Sequence, residues 1–268
     1  MAARYRDQIR PAAPYTGLQA AWHDRFWESE TAAAREAGVW RRRLEAVVGE
    51  GAKVLDAGCG SGRILAPLAE AGFEMTGVDS SREMLEAARA RKGCDAAELR
   101  CGRLPSNLPE GPFDAVISTA FSLMLLPPED LQRLWSGFHR VLRPGGAVMA
   151  SFFVPWSEIL EGEDGRWHTE RVMPLEDGGL AEQHARGKID LWRQMLVRDL
   201  RFVRRDVSGR VCDEMMVREE TAYYFPREIQ HALDAAGFAD VTITGEWRRT
   251  PPRQGDRFFV AEARQGKE

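Results

Sequence analysis

Lysine is scarce in this chain: only four of its 268 residues are lysine, so arginine supplies nearly all of the basic charge. Such usage is typical of a GC-rich bacterial genome. The 37 basic residues almost balance the 41 acidic ones, which leaves a formal net charge of −4. Because positive charge is not in excess, the composition disfavours non-specific nucleic-acid binding as the main activity.

Long hydrophobic runs and paired cysteines are also missing. No run of 18 apolar residues is present, which predicts no transmembrane helix, and the basic N-terminal stretch lacks the apolar segment of a secretory signal. The four cysteines form no CxxC pair and have no metal-ligand spacing: Cys59, Cys94, Cys101 and Cys212. We therefore expect a cytoplasmic protein with free thiols, no bound metal and no association with membranes.

Hydrophobic residues make up 44% of the chain and charged residues 29%, which indicates a folded protein with a substantial core. Residues 1–50 are predicted to form a helical arm or cap whose first stretch, broken by prolines, is mobile. Within this arm the residues predicted to cover a core face are Trp22, Phe26 and Trp40. Residues 51–155 and 225–268 are predicted to form one α/β domain, which is interrupted by an insertion at 156–224.

The α/β prediction rests on short apolar strands that alternate with amphipathic helices. Strands are predicted at 53–57, 74–79, 97–101, 113–119, 147–153, 241–247 and 257–263, and helices at 62–72, 127–142 and 225–238. Another helix is predicted to begin at Ser80, where Glu83 completes a capping-box pattern, and a turn is predicted at 143–146. This alternation indicates a mostly parallel sheet with helices on both faces.

The insertion at 156–224 has the pattern of antiparallel β structure. Two long stretches of alternating polar and apolar residues flank a turn at Ser208 and Gly209. Loops are predicted at five glycines: Gly162, Gly165, Gly178, Gly179 and Gly187. We expect this insertion to form a substrate lid or, because exposed strand edges invite pairing, a contact in a homodimer.

A glycine-rich loop connects the first predicted strand to the first helix of the α/β part. Gly58, Gly60 and Gly62 allow a tight turn and a close approach of a ligand to the backbone, at the N-terminus of a helix that offers free N–H groups. Asp79 ends the next strand, where a carboxylate can accept hydrogen bonds from two ribose hydroxyls. The pattern therefore predicts a ligand that contains a ribose.

A dinucleotide-binding site also has a glycine loop and an acid at the end of the second strand. The spacing of the glycines must therefore distinguish a dinucleotide from another ligand that contains a ribose. A dinucleotide loop has a further glycine at the position that is Arg63 in this chain. The acid at Asp56, two residues before the first glycine, suits a ligand with an ammonium group better than one with two phosphates. The spacing thus favours a ligand with a ribose, an amino-acid moiety and a sulfonium.

Four stretches together resemble the motifs of class I S-adenosylmethionine-dependent methyltransferases. VLDAGCGSGR at 54–63 resembles the first motif, GVDSS at 77–81 the second, FDAVIS at 113–118 the fourth, and LRPGG at 142–146 the turn before the fifth strand. The resemblance implies a Rossmann-like α/β fold with a seven-stranded sheet of order 3-2-1-4-5-7-6 and an antiparallel seventh strand. It also implies the cofactor S-adenosyl-L-methionine and the product S-adenosyl-L-homocysteine.

The resemblance implies which residues bind this cofactor. Asp56 and the glycine loop are expected beside the methionine moiety, and Asp79 at the ribose. Members often carry an acid near the adenine where this chain has Arg103, so backbone groups there are expected to hold the adenine instead. The expected set is Tyr15, Asp56, Ala57, Gly58, Cys59, Gly60, Gly62, Asp79, Ser80, Met84, Arg103, Leu104, Thr119, Ala120 and Phe121.

The acceptor side is less well defined by the sequence. Trp156 and Tyr223 are predicted to line a substrate pocket, because ligands of open α/β sheets bind outside the carboxyl ends of the strands. Either Tyr5 or Tyr15 is expected to contact the cofactor or close the site. The candidate catalytic residues, each with an alternative role in packing or on the surface, are His168, His184, Tyr223 and Tyr224.

We interpret the chain as a methyltransferase that acts on a nitrogen or oxygen of a small molecule by in-line displacement. A small acceptor is favoured because the charge is balanced and no Asn-Pro-Pro-Tyr type motif follows the fourth strand. Three alternatives stay open: a non-catalytic S-adenosylmethionine-binding or regulatory protein, a protein or RNA methyltransferase, and a nucleotide-dependent oxidoreductase.

Overall fold

A computed structural model describes residues 14–27, 30–162 and 165–266, and a seven-stranded sheet lies at its centre. The strands are β1 (Lys53–Ala57), β2 (Glu74–Asp79), β3 (Glu98–Cys101), β4 (Phe113–Ser118), β5 (Leu142–Phe153), β10 (Phe238–Gly245) and β11 (Phe258–Gln265). Their order is β10-β11-β5-β4-β1-β2-β3, and β11 is antiparallel to both of its neighbours. The predicted order and the antiparallel seventh strand are confirmed.

Helices cover both faces of this sheet. The α-helices within the described residues are α1 (Gly17–Trp27), α2 (Glu30–Val48), α3 (Leu65–Glu70), α4 (Arg82–Ala90), α5 (Pro128–Val141), α6 (Trp156–Glu161) and α7 (Pro226–Ala235). On one face, Trp135 and Phe138 of α5 pack with residues of α7 and the strands. On the other face, Trp40 and Leu44 of α2 pack with α3 and α4. The amphipathic helices α4, α5 and α7 each bury apolar residues against the sheet.

The insertion forms a separate antiparallel sheet of four strands, as the sequence predicted. These are β6 (His168–Pro174), β7 (Leu180–Asp190), β8 (Met195–Arg205) and β9 (Val211–Ala222), paired in chain order. Helix α1 covers one face of this sheet, where Trp22 and Phe26 pack against Phe202. Of the three aromatic residues expected to cover a core face, Trp40 alone joins the core of the large sheet.

Three local predictions were wrong. Helix α4 is capped by Ser81, not Ser80, and Glu83 accepts a hydrogen bond from Gly17 N (2.6 Å) instead of completing a capping box. Residues 143–146 form an irregularity within β5, where the register against β4 shifts, and not a separate turn. Gly187 lies inside β7, paired with Arg198 of β8, and not in a loop.

The N-terminal arm is described only from residue 14, so the predicted mobile start and Tyr5 lie outside the described residues. Within the described ranges, no helix has the length and apolar character needed to cross a membrane.

Candidate functional site

A cleft of about 1100 Å³, part of it open to solvent, lies at the carboxyl ends of β1, β2 and β4. This is where ligands bind in open α/β sheets. Twelve of the fifteen residues expected at the cofactor line it: Tyr15, Ala57, Gly58, Cys59, Gly60, Asp79, Ser80, Met84, Arg103, Leu104, Thr119 and Ala120. The topology therefore brings together residues that are up to 105 positions apart in the chain.

The glycine loop crosses the end of β2 at close range. The N–H groups of Gly58 and Cys59 both donate to the carbonyl of Val78, at 2.8 and 3.1 Å. Gly58 has a φ of +87°, and a Cβ atom there would lie 2.7 Å from Cβ of Ser122. A residue other than glycine would therefore be strained at this position and would displace the segment after β4.

Asp79 holds the loop from the end of β2. One carboxylate oxygen accepts the N–H of Gly60 at 2.9 Å, and the other accepts the N–H of Ser81 at 2.8 Å. Burial raises the pKa of Asp79, although these two hydrogen bonds oppose the rise. A carboxylate accepts about four hydrogen bonds, so Asp79 can brace the loop and still bind two hydroxyl groups.

Asp56 lies behind the cleft wall and does not line it. Its side chain is fully buried, and neither carboxylate oxygen has a hydrogen-bond partner among the described residues. Burial and then the charge of Asp79 raise the pKa of Asp56 to about 7. Nearby, Arg63 and Glu36 form a buried ion pair of 2.7 Å, and Arg63 opposes the rise. The charge of an ionised Asp56 is therefore poorly compensated within the protein.

Gly62 and Phe121 also stand outside the cleft lining. A Cβ atom at Gly62 would lie 2.8 Å from Sγ of Cys94, so this glycine permits close packing against α4 and the turn that follows it. The ring of Phe121 packs against Phe153 and Phe258. Ala120 and Phe121 both have positive φ angles, of 50° and 63°, which is uncommon for residues other than glycine. This sharp turn directs the backbone after β4 towards the cleft.

Eleven further residues line the cleft that sequence reasoning did not assign to it. They are Pro14, His23, Ser61, Arg63, Ile64, Val78, Gly102, Ser122, Leu123, Leu125 and Leu126. Six of the eleven directly adjoin a predicted site residue in the chain, and this proximity could have identified them. His23 is different, because its place depends on where the N-terminal segment docks, and no motif predicts that.

The residues predicted for the acceptor side lie apart from the cleft lining. The indole N–H of Trp156 donates to the carbonyl of Asp256 at 3.0 Å, and its ring packs against Phe225. Tyr223 is buried, with an exposure of 2%. The Tyr224 hydroxyl is buried without a hydrogen-bond partner among the described residues, and burial raises its pKa.

The two histidines of the insertion lie on its sheet. His168 is exposed, 3.7 Å from Glu170. His184 contacts the carboxylate of Glu182 at 3.0 Å and Thr169 at 3.0 Å. Because Ala185, its neighbour in β7, packs against α1, strand alternation directs His184 to the opposite face.

Comparisons with known proteins agree with this arrangement. Residues 54–146 match the family model of a methyltransferase domain. The putative methyltransferase YqeM of Bacillus subtilis is 28% identical over 229 residues, which are 82% of this chain and 87% of that protein.

Two solved structures match the fold over nearly its whole length. The sugar N-methyltransferase KedS8 from Streptoalloteichus has a TM-score of 0.74 and 21% identity, with 97% of each chain covered. The CcbJ methyltransferase from Streptomyces caelestis has a TM-score of 0.72 and 21% identity, with 92% of this chain and 96% of that chain covered. At this level of identity the likeness establishes the fold alone. The family model, the methyltransferase relative and the shared fold together support a class I methyltransferase that uses S-adenosylmethionine.

Proposed function

We propose that this methyltransferase acts on a nitrogen or oxygen of a small molecule. The observation that carries the proposal is the cover over the cleft. Pro14, Tyr15 and His23 line it from the N-terminal segment, and the Tyr15 hydroxyl donates to Glu219 of the insertion sheet at 3.0 Å. A concave, covered site suits a compact acceptor better than a folded protein or a structured RNA. KedS8, which has a similar architecture, is named as a sugar N-methyltransferase.

The cleft residues fit the cofactor chemically. The ammonium and sulfonium groups of S-adenosylmethionine are cationic and would stabilise the ionised form of Asp56, whose buried carboxyl group behind the cleft wall has no hydrogen-bond partner among the described residues. Asp79 offers acceptors to the ribose hydroxyls, and the glycines of the loop let neighbouring segments approach its backbone closely. A carboxyl group near the cationic groups and a second one for the ribose therefore support binding of this cofactor.

Within this proposal each part of the cofactor has its own residues. Asp79 binds the ribose, and Ser80 lies beside it. Met84, Leu104 and the backbone of Arg103 hold the adenine. The methionine moiety lies against the remaining cleft residues of the predicted set: Ala57, Gly58, Cys59, Gly60, Thr119 and Ala120. Gly62 and Phe121 support the site from behind, through packing.

The bound cofactor supplies a methyl group on a sulfonium, which needs no further activation. The chain has to align the acceptor behind the methyl carbon and exclude water, and such positioning lowers a barrier by about 7–11 kcal/mol. A neutral amine needs no base, whereas a hydroxyl acceptor gains about 10²–10⁴-fold from one. The catalytic roles of His168, His184, Tyr223 and Tyr224, and the pocket roles of Trp156 and Tyr223, stay predictions.

We propose that different parts of the chain have different roles. Residues 51–155 and 225–268 bind the cofactor, the N-terminal part covers it, and the insertion at 156–224 acts as the substrate lid. The contact between Tyr15 and Glu219 supports this division, because it connects the cofactor cleft directly to β9 of the insertion. A homodimer through the insertion and a cytoplasmic location stay predictions.

A methyl-transfer assay tests the proposal. The protein is incubated with S-adenosylmethionine labelled in its methyl group and with a panel of small amines and alcohols, or with total protein or RNA. We expect label on a small acceptor and its loss in Asp79→Ala, whereas Asp234→Ala, at an exposed position of α7, serves as the matched control. Label transferred to protein or RNA but to no small molecule would contradict the proposal.

A further inference from the structure

His23 is a cleft residue on α1 that belongs to none of the motifs in the sequence. It lines the cleft beside Tyr15, and the two ring centroids are 5.5 Å apart at an interplanar angle of 58°. His23 also interacts electrostatically with Asp79. Burial raises the pKa of Asp79, and His23 is one of the groups that oppose this rise. His23 therefore adjoins the space that the cofactor is proposed to occupy.

The imidazole of His23 is held in place by its neighbour. Nδ1 of His23 lies 3.1 Å from Oδ1 of Asp24, which also accepts a hydrogen bond from the Ser61 hydroxyl at 2.6 Å. Arg91 pairs with the other oxygen of Asp24 and donates to the Ser61 carbonyl at 2.9 Å. Although burial opposes the shift, hydrogen bonds from His23 and Ser61 lower the pKa of Asp24 to about 2. An ionised Asp24 can only accept, so the proton of this contact is on Nδ1.

The strand order indicates which part of the cofactor His23 faces. The order β4-β1-β2-β3 runs from the proposed methionine side, through the ribose at β2, to the adenine beside β3. Through Asp24, His23 is tied to Ser61, which belongs to the glycine loop after β1. It is thus fixed to the loop that faces the methionine moiety and not to the β3 side.

We propose that His23 binds the amino-acid end of the cofactor and that Asp24 positions it. This inference rests on the proposed cofactor site. With Nδ1 committed to Asp24, the ring interacts with the ligand through Nε2. A protonated ring donates Nε2–H to the α-carboxylate, and a neutral ring accepts from the α-ammonium, so the zwitterion matches either form. His23 is then a direct contact, whereas Asp24 acts through it.

Two ligands separate this role from a structural one. S-adenosylhomocysteine carries the amino-acid end, and 5′-methylthioadenosine has the same adenosine and thioether without it. Affinities of both are measured by titration calorimetry for the wild type and for His23→Gln. We expect His23→Gln to weaken the affinity for S-adenosylhomocysteine about 10- to 100-fold, which is the range expected for the loss of one charged hydrogen bond. The affinity for 5′-methylthioadenosine should change by no more than about twofold.

Two further variants complete the design. Asp24→Asn is expected to produce the same selective loss, to a smaller degree. Arg25→Gln is the matched control, since Arg25 is exposed on the same helix and pairs with Glu176 of the insertion. If His23→Gln loses equal affinity for both ligands, or loses affinity for neither, the assignment of His23 is overturned. Failure of the wild type to bind S-adenosylhomocysteine would instead overturn the proposed cofactor site, and the inference with it.

Discussion

Asp56 and Asp79 lie at the carboxyl ends of neighbouring strands, but their carboxylates have different surroundings. Asp79 accepts two backbone N–H groups, and Asp56 accepts no hydrogen bond from a described residue. An ionised carboxylate without partners is unfavourable in a protein interior, and burial raises the pKa of Asp56 to about 7. The folded chain therefore keeps a proton on Asp56 over a pH range in which the unfolded chain has lost it.

This difference predicts a pH-dependent gain in stability from Asp56→Asn. The pKa of Asp56 is raised from 3.8 to about 7 in the folded state, so its contribution to stability is intact below about pH 4 and is lost as the pH rises through 7. Asparagine has no charge to bury. We expect Asp56→Asn to be more stable than the wild type at pH 8, by on the order of 4 kcal/mol, and similar at pH 4.

Chemical denaturation at pH 4, 6 and 8 measures this difference. Asp114→Asn is an informative control because its shift has the opposite sign. Burial opposes that shift, but the N–H of Lys53 and the guanidinium of Arg143 lower the pKa of Asp114. Its contribution is lost as the pH falls, so this variant should be less stable than the wild type at neutral pH. A difference for Asp56→Asn that does not grow with pH would contradict the account.

Single residues were predictable where their chemistry depends on spacing along the chain. Gly58, Gly60 and Asp79 were identified in this way, and all three line the cleft. His23 and Asp24 were not, because their role depends on where α1 docks against the glycine loop. Nothing in the pattern of α1 specifies a docking partner from a loop almost 40 residues later in the chain.

Helix α1 connects the two sheets through its two sides. Its apolar side, with Trp22 and Phe26, packs on the insertion sheet. Its polar side carries Asp24, which binds the glycine loop through Ser61. A helix with both attachments should transmit a loss of packing on the insertion to the cofactor cleft.

Phe26→Ala tests this connection. Phe26 is 3% exposed and packs against Trp22 and Phe202, so its truncation is expected to cost about 3–5 kcal/mol. We expect a lower midpoint of thermal unfolding and faster hydrogen exchange in β7 and β8. Trp192→Ala, at a side chain that is 93% exposed, should change neither quantity. Unchanged exchange in β7 and β8 of the Phe26 variant would show that α1 does not stabilise the insertion.

Whole elements were predicted better than their ends. All seven strands of the large sheet were predicted, and the central ones gave the strongest signal because burial on both faces leaves a hydrophobic run. The start of α4 was misplaced by one residue, because Ser80 and Ser81 are equally good caps in sequence and the N–H of Ser81 is taken by Asp79. Gly187 was assigned to a loop because glycine weakens a strand signal, although its backbone pairs with Arg198 in the sheet.

The molecule as a whole combines a seven-stranded sheet, the four-stranded sheet of the insertion and a helix that contacts both. The order of the large sheet followed from the resemblance of its motifs, whereas the packing of the insertion depends on contacts between segments far apart in the chain. Tyr15 and Glu219, which connect the two parts, are 204 residues apart. No local pattern reports a contact at that separation.

We expect the cleft at the ends of β1, β2 and β4 to bind S-adenosylmethionine through Asp79. Calorimetric titration with S-adenosylmethionine and S-adenosylhomocysteine, with NAD as the control ligand, tests it directly in the wild type and in Asp79→Ala. We expect micromolar binding of the first two ligands, no binding of NAD, and an affinity for the first two that is at least about 100-fold weaker in the variant, since two hydrogen bonds to a carboxylate are removed. Undiminished affinity in Asp79→Ala, or binding of NAD in place of the two ligands, would contradict it.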